Sequence, residues 1–156
     1  MAAKSPSFTN LQPASVASSR SKKANGSFDT RHEYLLRHHL WRLGLRYRKN
    51  VRNLPGKPDV AFPSARVVVF CDGDFWHGRN WSCLREKLEG GTNADYWKAK
   101  IAMNRQHDQR VNEKLRQAGW KVVRLWEGDI LKDPVRFAAK IYRVIESRLH
   151  RYGHGA

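Results

Sequence analysis

The chain has 156 residues, enough for one compact domain with a sizeable hydrophobic core. Its 30 Lys and Arg against 14 Asp and Glu leave a formal charge of +16, the electrostatic footprint of a nucleic-acid partner. The two cysteines, Cys71 and Cys83, imply no disulfide framework, and no apolar run approaches the roughly 20 residues that span a bilayer, so a membrane partner is not expected.

Residues 1–27 are rich in Ser, Ala, Lys and Asn and poor in large apolar side chains, the composition of a flexible arm. Positive charge gathers at Arg20, Lys22 and Lys23, as on an arm laid along a DNA groove; a plain solvated tail is the alternative. No uninterrupted apolar segment of a secretory signal is present there, and a cytoplasmic, nucleoid-associated location is the expectation. A single domain is expected over residues 28–150.

The first helix is predicted from about Arg31 to Leu43. Thr30 is an N-cap and Glu33 completes a capping box, while Leu36, Leu40 and Leu43 form the buried stripe and Gly44 stops the helix. Glu33 stands at the inward edge of that stripe, where it either caps the helix or reaches into a site. Leu45 to Val51 alternates like a short strand, and Asn53 to Lys57 reads as a turn.

Two apolar runs follow, PDVAF from Pro58 and RVVVFCD to Asp72, separated by the turn residues Pro63, Ser64 and Ala65. A hairpin brings Asp59 near Asp72. Converging carboxylates at strand ends are costly without a cation and suggest Mg²⁺; turn-capping by both aspartates is the competing reading. The continuous run Val67 to Phe70 predicts a strand buried on both faces, and Cys71 is read as a small buried hydrophobe. Between Gly73 and Asn93 a glycine-punctuated loop interleaves Phe75, Trp76, His77, Arg79 and Trp81 with further cations, a pattern suited to bases and phosphates; a lid of Phe75 and Trp76 folded back over the core is the alternative.

A long helix from Ala94 to about Ala118 places Trp97, Ile101, Asn104, Asp108, Val111 and Leu115 on one face. Asn104 and Asp108 are polar interruptions of that stripe and need partners. Gly119 ends the helix, Trp120 to Trp126 reads as a strand, and Asp133-Pro134 opens a last helix that buries Phe137, Ile141, Val144 or Ile145, and Leu149, with Lys140, Arg143 and Arg148 facing solvent. The order of elements predicts an α/β fold, a central mixed β-sheet flanked by α-helices.

Several of these segments together resemble the very short patch repair (Vsr-type) endonucleases. They are Asp29 to Glu33 (DTRHE), Leu54 to Val60 (LPGKPDV), Gly73 to Gly78 (GDFWHG), Tyr96 to Asp108 with its Tyr, Trp, Lys, Ile, Asn and Asp in register, and Gly119 to Glu127 (GWKVVRLWE). The match covers about Arg20 to Leu131. It implies a restriction-endonuclease-like fold of the PD-(D/E)xK superfamily and Mg²⁺-dependent nicking of double-stranded DNA 5′ to the thymine of a T:G mismatch. By position it makes Asp59 the metal-binding aspartate, His77 the catalytic histidine and Glu33 the active-site glutamate. Phe75, Trp76 and Trp97 fall on the family's aromatic wedge, the basic arm matches its DNA clamp, and Lys57 and Arg79 are further DNA-contact candidates. A monomer is expected, with mismatch-repair proteins or a DNA cytosine methyltransferase as candidate partners.

The chain departs from the family at two places. The family's structural zinc ligands are replaced by Asp74, Arg79, Trp81 and Gly128, and Cys83 with His77 cannot complete a tetrahedron, so no structural zinc is expected and tryptophan packing is expected in its place. Cys71-Asp72 stands where the family has Thr-His or Val-His, which makes Asp72 a candidate second metal ligand. A restriction, homing or mobile-element nuclease that does not read mismatches is the nearest alternative function. An inactive DNA-binding module is the more distant one, opposed by the presence of Glu33, Asp59 and His77.

Overall fold

A computed structural model describes residues 29–153. The expected basic arm, with Arg20, Lys22 and Lys23, lies outside the described residues. Among the described residues four strands form one sheet: β1 (Arg48–Lys49), β2 (Val60–Phe62), β3 (Val67–Asp72) and β4 (Lys121–Trp126). Their spatial order is β1-β2-β3-β4, with the first two pairings antiparallel and β3 parallel to β4. Five helices surround it among the described residues: α1 (Arg31–Arg42), α2 (Trp81–Leu88), α3 (Ala94–Gln117), α4 (Glu127–Lys132) and α5 (Pro134–Gly153). This is the expected α/β, restriction-endonuclease-like arrangement. No helix among the described residues is long and apolar enough to cross a membrane.

The strand β3 is buried along its whole length because helices cover both faces of the sheet. Alternation sends Val67, Val69 and Cys71 into one core with Leu36 and Leu40 of α1 and Ile141 and Ile145 of α5. It sends Val68 and Phe70 into a second core with Val111 and Leu115 of α3. Asp72, two residues beyond Phe70, continues toward the α3 side. The β2–β3 hairpin closes through Pro63–Arg66, where the Arg66 N–H donates to the Pro63 carbonyl at 3.2 Å.

The stop of α3 at Gly119 is a Schellman motif. Gly119 takes φ +86°, and the N–H groups of Gly119 and Trp120 donate to the carbonyls of Arg116 and Leu115 at 3.0 and 2.9 Å. That reversal returns the chain directly into β4, beside β3.

Several expectations need correction. The strand expected over Leu45 to Val51 is only two residues long. The segment 73–93 is not all loop: α2 occupies Trp81–Leu88, and none of its residues is buried, so it left no apolar stripe to read. The one-and-a-half-turn helix α4 follows β4 without a break and contains Gly128, which hid it. Leu43 and Leu149 are 44% and 43% exposed rather than buried. Arg148 does not simply face solvent. It ties the hairpin turn to the α3 terminus by donating to the carbonyls of Ala65 and Gly119 at 3.2 and 2.7 Å.

Candidate active site

Chemistry-bearing side chains collect where β2 and β3 run out. The ladder between them ends at Asp59, whose own N–H donates to the Val69 carbonyl at 3.1 Å. The next inward-facing donor of β3, the Cys71 N–H, is met by the Asp59 carboxylate at 2.6 Å. Asp59 is thus held in the plane of the sheet with one oxygen committed. Burial, above all, and the charges of Glu33 and Asp72 push its pKa up to about 7, against the lowering pull of the Cys71 hydrogen bond and of Arg37.

Glu33 reaches this neighbourhood from the N-terminal turn of α1 and is only 4% exposed. The expected capping box is displaced by one residue. Glu33 Oε2 accepts the Asp29 N–H at 3.0 Å, while the Thr30 hydroxyl turns to the His32 ring and makes no side-chain cap bond. Arg37, one turn on, is also buried; it donates to Asp29 at 2.7 Å and lies 3.6 Å from Glu33.

A second group forms around His77. After β3 the chain coils tightly: the His77 N–H donates to the Gly73 carbonyl at 3.2 Å and the Arg79 N–H to that of Asp74 at 2.9 Å. The coil lands on α3, where Asn104 donates to the Trp76 carbonyl at 2.8 Å and Asp108 accepts from His77 Nδ1 at 2.6 Å. Both polar interruptions of the α3 stripe therefore find their partners in one loop. With Nδ1 donating to a carboxylate, Nε2 is the nitrogen of His77 that exchanges protons.

Asp72 lies 3.7 Å from His77 Nδ1, and the ligand atoms of Asp72, His77 and Asp108 all fall within 4.8 Å of one another. Arg124 of β4 enters the same group: its Nη1 meets both Asp72 oxygens at 2.9 and 3.1 Å and stands 3.5 Å from Asp108. Its Nε donates to Asn112 at 2.7 Å and its guanidinium lies 4.1 Å from the Phe70 ring centre. Burial by itself lowers the His77 pKa, but the Asp108 hydrogen bond and the charges of Asp72 and Asp108 outweigh it and hold it above the ordinary range. Burial also raises Asp72, with His77 and Arg124 opposing. Cys71 is buried and its thiol is pushed well upward by burial, which leaves it an unreactive packing residue.

The aromatic residues come together as one cluster. Phe75, Trp76 and Trp97 stand 5.4 to 5.6 Å apart, ring centre to ring centre, all edge to face, and Phe75 is 37% exposed. Lys57 sits in an exposed turn. Arg79 does not stand free for DNA: it pairs with Asp129 at 2.8 Å and Asp74 at 3.6 Å, over the Trp126 ring at 5.9 Å. Asp74 also accepts the Gly128 N–H at 3.3 Å. Ion pairs, rather than tryptophan packing alone, therefore occupy the positions of the replaced zinc ligands.

Sequence reasoning missed Arg124 and Arg37. Arg124 left a faint signal, a cation between Val123 and Leu125 in the run WKVVRLW; Arg37 left none, because α1 carries three arginines and three histidines.

A mixed sheet whose strand ends present carboxylates, with a carboxylate-held histidine and an aromatic cluster beside them, on a chain of charge +16, defines an endonuclease of the restriction-endonuclease-like type. The family model for the DNA mismatch endonuclease Vsr matches residues 14–83. The chain is similar to the Type II nicking enzyme V.HpaIIP of Haemophilus parainfluenzae, 40% identical over 130 residues that make up 83% of this chain and 91% of that protein. It is 36% identical over 154 residues to the Type II nicking enzyme V.NaeI of Lentzea aerocolonigenes, covering 96% of this chain and 86% of the relative. The DNA mismatch endonuclease Vsr of Escherichia coli (strain K12) is 34% identical over 109 residues, 70% and 68% of the two chains. The chain belongs to the Vsr endonuclease family.

Proposed function

We propose that this Vsr-family endonuclease nicks one strand of duplex DNA 5′ to the thymine of a T:G mismatch, in an Mg²⁺-dependent reaction and as a monomer. The observation that carries this reading is that an under-compensated carboxylate, Asp59, and a carboxylate-held histidine, His77, both neighbour Asp72 at the end of β3.

The donor chemistry fits a hard divalent ion. Asp59 has a second oxygen beyond the one bound by Cys71, and the charges of Glu33 and Asp72 raise its proton affinity, as they would its affinity for any cation. Asp59 would hold Mg²⁺, with Glu33 positioning water nearby and Asp72, whose two oxygens also meet Arg124 Nη1, as the second oxygen donor. When bound, the ion supplies charge neutralisation and Lewis-acid polarisation at the phosphate.

The remaining work falls to the chain's own groups. His77 Nε2 serves as general acid or base, while Asp108 fixes the ring orientation and stabilises the imidazolium. Arg124 keeps Asp72 and Asp108 in place as anions. The Phe75–Trp76–Trp97 cluster forms a wedge whose unstacking cost is lowest at a mismatched step. The relatives, nicking enzymes and a mismatch endonuclease, support a single-strand cut and a mismatched substrate.

The test is a nicking assay on a T:G duplex and its T:A counterpart, with Mg²⁺ or with EDTA. Cleavage of the T:G duplex alone, abolished by EDTA, is expected. Equal cutting of both duplexes would point instead to a nuclease that does not read mismatches, and cutting in EDTA would remove the metal from the reading.

A further inference from the structure

The face of α3 that meets the coil after β3 has one more member. Ile101, Asn104, Arg105 and Asp108 recur at helical spacing and so share that face. Asn104 and Asp108 hold the Trp76 carbonyl and the His77 ring, Ile101 is buried, and Arg105 stands exposed at the outer edge. The stem of Arg105 lies on Gly78, the residue after His77. Gly78 takes φ +68°, and a Cβ there would stand 2.8 Å from Ile101 Cγ2 and 2.9 Å from Arg105 Cδ. Glycine therefore lets the arginine stem close against the coil, which fixes where the guanidinium emerges. On its other side the guanidinium lies 5.8 Å from the ring centre of Trp81, the first residue of α2.

The neighbouring cations are committed inside the protein. Arg79 pairs with Asp129 and Asp74, Lys98 with Glu89 and Asp95, and Arg124 with Asp72. Asp108, the acid on the same helix face as Arg105, is taken by His77 and Arg124. Among the described residues Arg105 makes no ion pair and no hydrogen bond. An exposed guanidinium without an anion, packed at the edge of the coil that carries His77, presents the fork geometry that a phosphate fits.

We propose that Arg105 holds a backbone phosphate of the DNA strand, next to the phosphate on which His77 acts. The assignment rests on the reading of the chain as a DNA endonuclease with His77 at the scissile phosphate. It adds a contact that neither the Phe75–Trp76–Trp97 wedge nor the carboxylates can supply. Successive phosphates of one strand lie about 3.4 Å apart along the duplex axis, so a cation packed on the residue after His77 suits the neighbouring phosphate.

Fluorescence anisotropy with the full chain and a T:G duplex in EDTA tests it. Arg105→Met keeps an apolar stem over Gly78 and removes the charge. It should weaken binding about eightfold at about 0.1 M salt, the scale of one phosphate contact, and lower the slope of log Kd against log salt by about 0.9. Arg105→Lys should recover most of the affinity. Arg143→Met, on α5 across the sheet, should change neither quantity. To locate the phosphate, those flanking the T:G step on the thymine strand are replaced one at a time by an uncharged methylphosphonate. One replacement should weaken the wild type about as much as Arg105→Met does, and weaken Arg105→Met no further. Wild-type affinity and slope in Arg105→Met would reduce the residue to a packing stem. An equal slope change in Arg143→Met would make the effect one of general charge, and additive losses at every flanking phosphate would put the contact elsewhere; each overturns the proposal. Nicking is read separately: a chain that does not nick at T:G but shows the slope change and the non-additive phosphate loses the nicking reading and keeps the Arg105 contact.

Discussion

The two carboxylate groups at the strand ends solve the same electrostatic problem in opposite ways. Around His77, the acids Asp72 and Asp108 are matched inside the protein by Arg124 and by the imidazole, with contacts of 2.6 to 3.1 Å. Around Asp59, the acids Asp59 and Glu33 share one cation, Arg37, which is 3.6 Å from Glu33 and hydrogen-bonded to Asp29 instead. A buried carboxylate without a close cation takes up a proton or an ion from outside. The first group is therefore built to hold a histidine still, with Asp72 near enough for its charge to act on Asp59, and the second to receive a charge that the fold does not provide. The difference also bears on the Asp72–His77–Asp108 cluster, which has ligand-like spacing but already contains a cation, the guanidinium of Arg124.

Substitutions that treat the two groups separately give the sharpest contrast. Asp59→Ala should abolish nicking, a loss of at least about 10³-fold, while gel-shift affinity for DNA stays near wild type; cleavage that survives would dissolve the distinction between the groups. Asp108→Asn should slow nicking roughly 10²-fold without preventing metal binding. Removing that anion takes away a group that raises the His77 pKa, so the limb of the pH–rate profile governed by His77 should move to lower pH. An unchanged profile would mean that Asp108 only packs the loop.

Arg124→Met leaves the buried Asp72 without its cation and should cost about 3 kcal/mol in urea unfolding. The same variant should bind one Co²⁺ more than the wild type, at Asp72, His77 and Asp108, visible as d–d absorption added to that of an ion held at Asp59. If wild type and variant bind Co²⁺ equally, Arg124 is not standing in for an ion.

A further contrast is expected in the dependence of stability on pH in metal-free protein. The Asp59 pKa is raised in the folded state from its ordinary value of 3.8 to about 7, so between those limits the native chain binds more protons than the unfolded one. Stability should accordingly fall as pH rises from about 4 to 7, the reverse of an ordinary salt-bridged aspartate. Addition of Mg²⁺ should raise Tm by a few degrees at pH 8 and much less at pH 5. A metal-independent Tm at pH 8 would contradict the view of Asp59 as the group awaiting a cation.

Much of this site was legible in one dimension. Hydrophobic runs with turn residues between them locate the β2–β3 hairpin, and with it the strand-end positions of Asp59 and Asp72. Helical spacing marked Asn104 and Asp108 as polar residues on a buried face, which announced that partners existed without naming them. The glycine stop at Gly119 was readable because only a left-handed residue lets the last carbonyls of α3 be satisfied. Burial was harder to read at element ends: Leu43 and Leu149 fit the periodicity of their helices, but they lie where the neighbouring layer has run out.

The sequence by itself therefore determined the order of elements, the two-sided burial of β3, and the inventory of acids, histidine and aromatics gathered between Asp59 and Asp108. Those properties depend on local periodicity and turn chemistry, which act over a few residues. Tertiary structure alone decided which charges meet. Asp72 and Arg124 are 52 residues apart and His77 and Asp108 are 31, and they become neighbours only because β4 returns parallel to β3 while α3 crosses the sheet face. Coulombic and hydrogen-bond energies fall off over a few ångströms, so the division of the acids into a compensated and an uncompensated group was fixed by packing, not by composition.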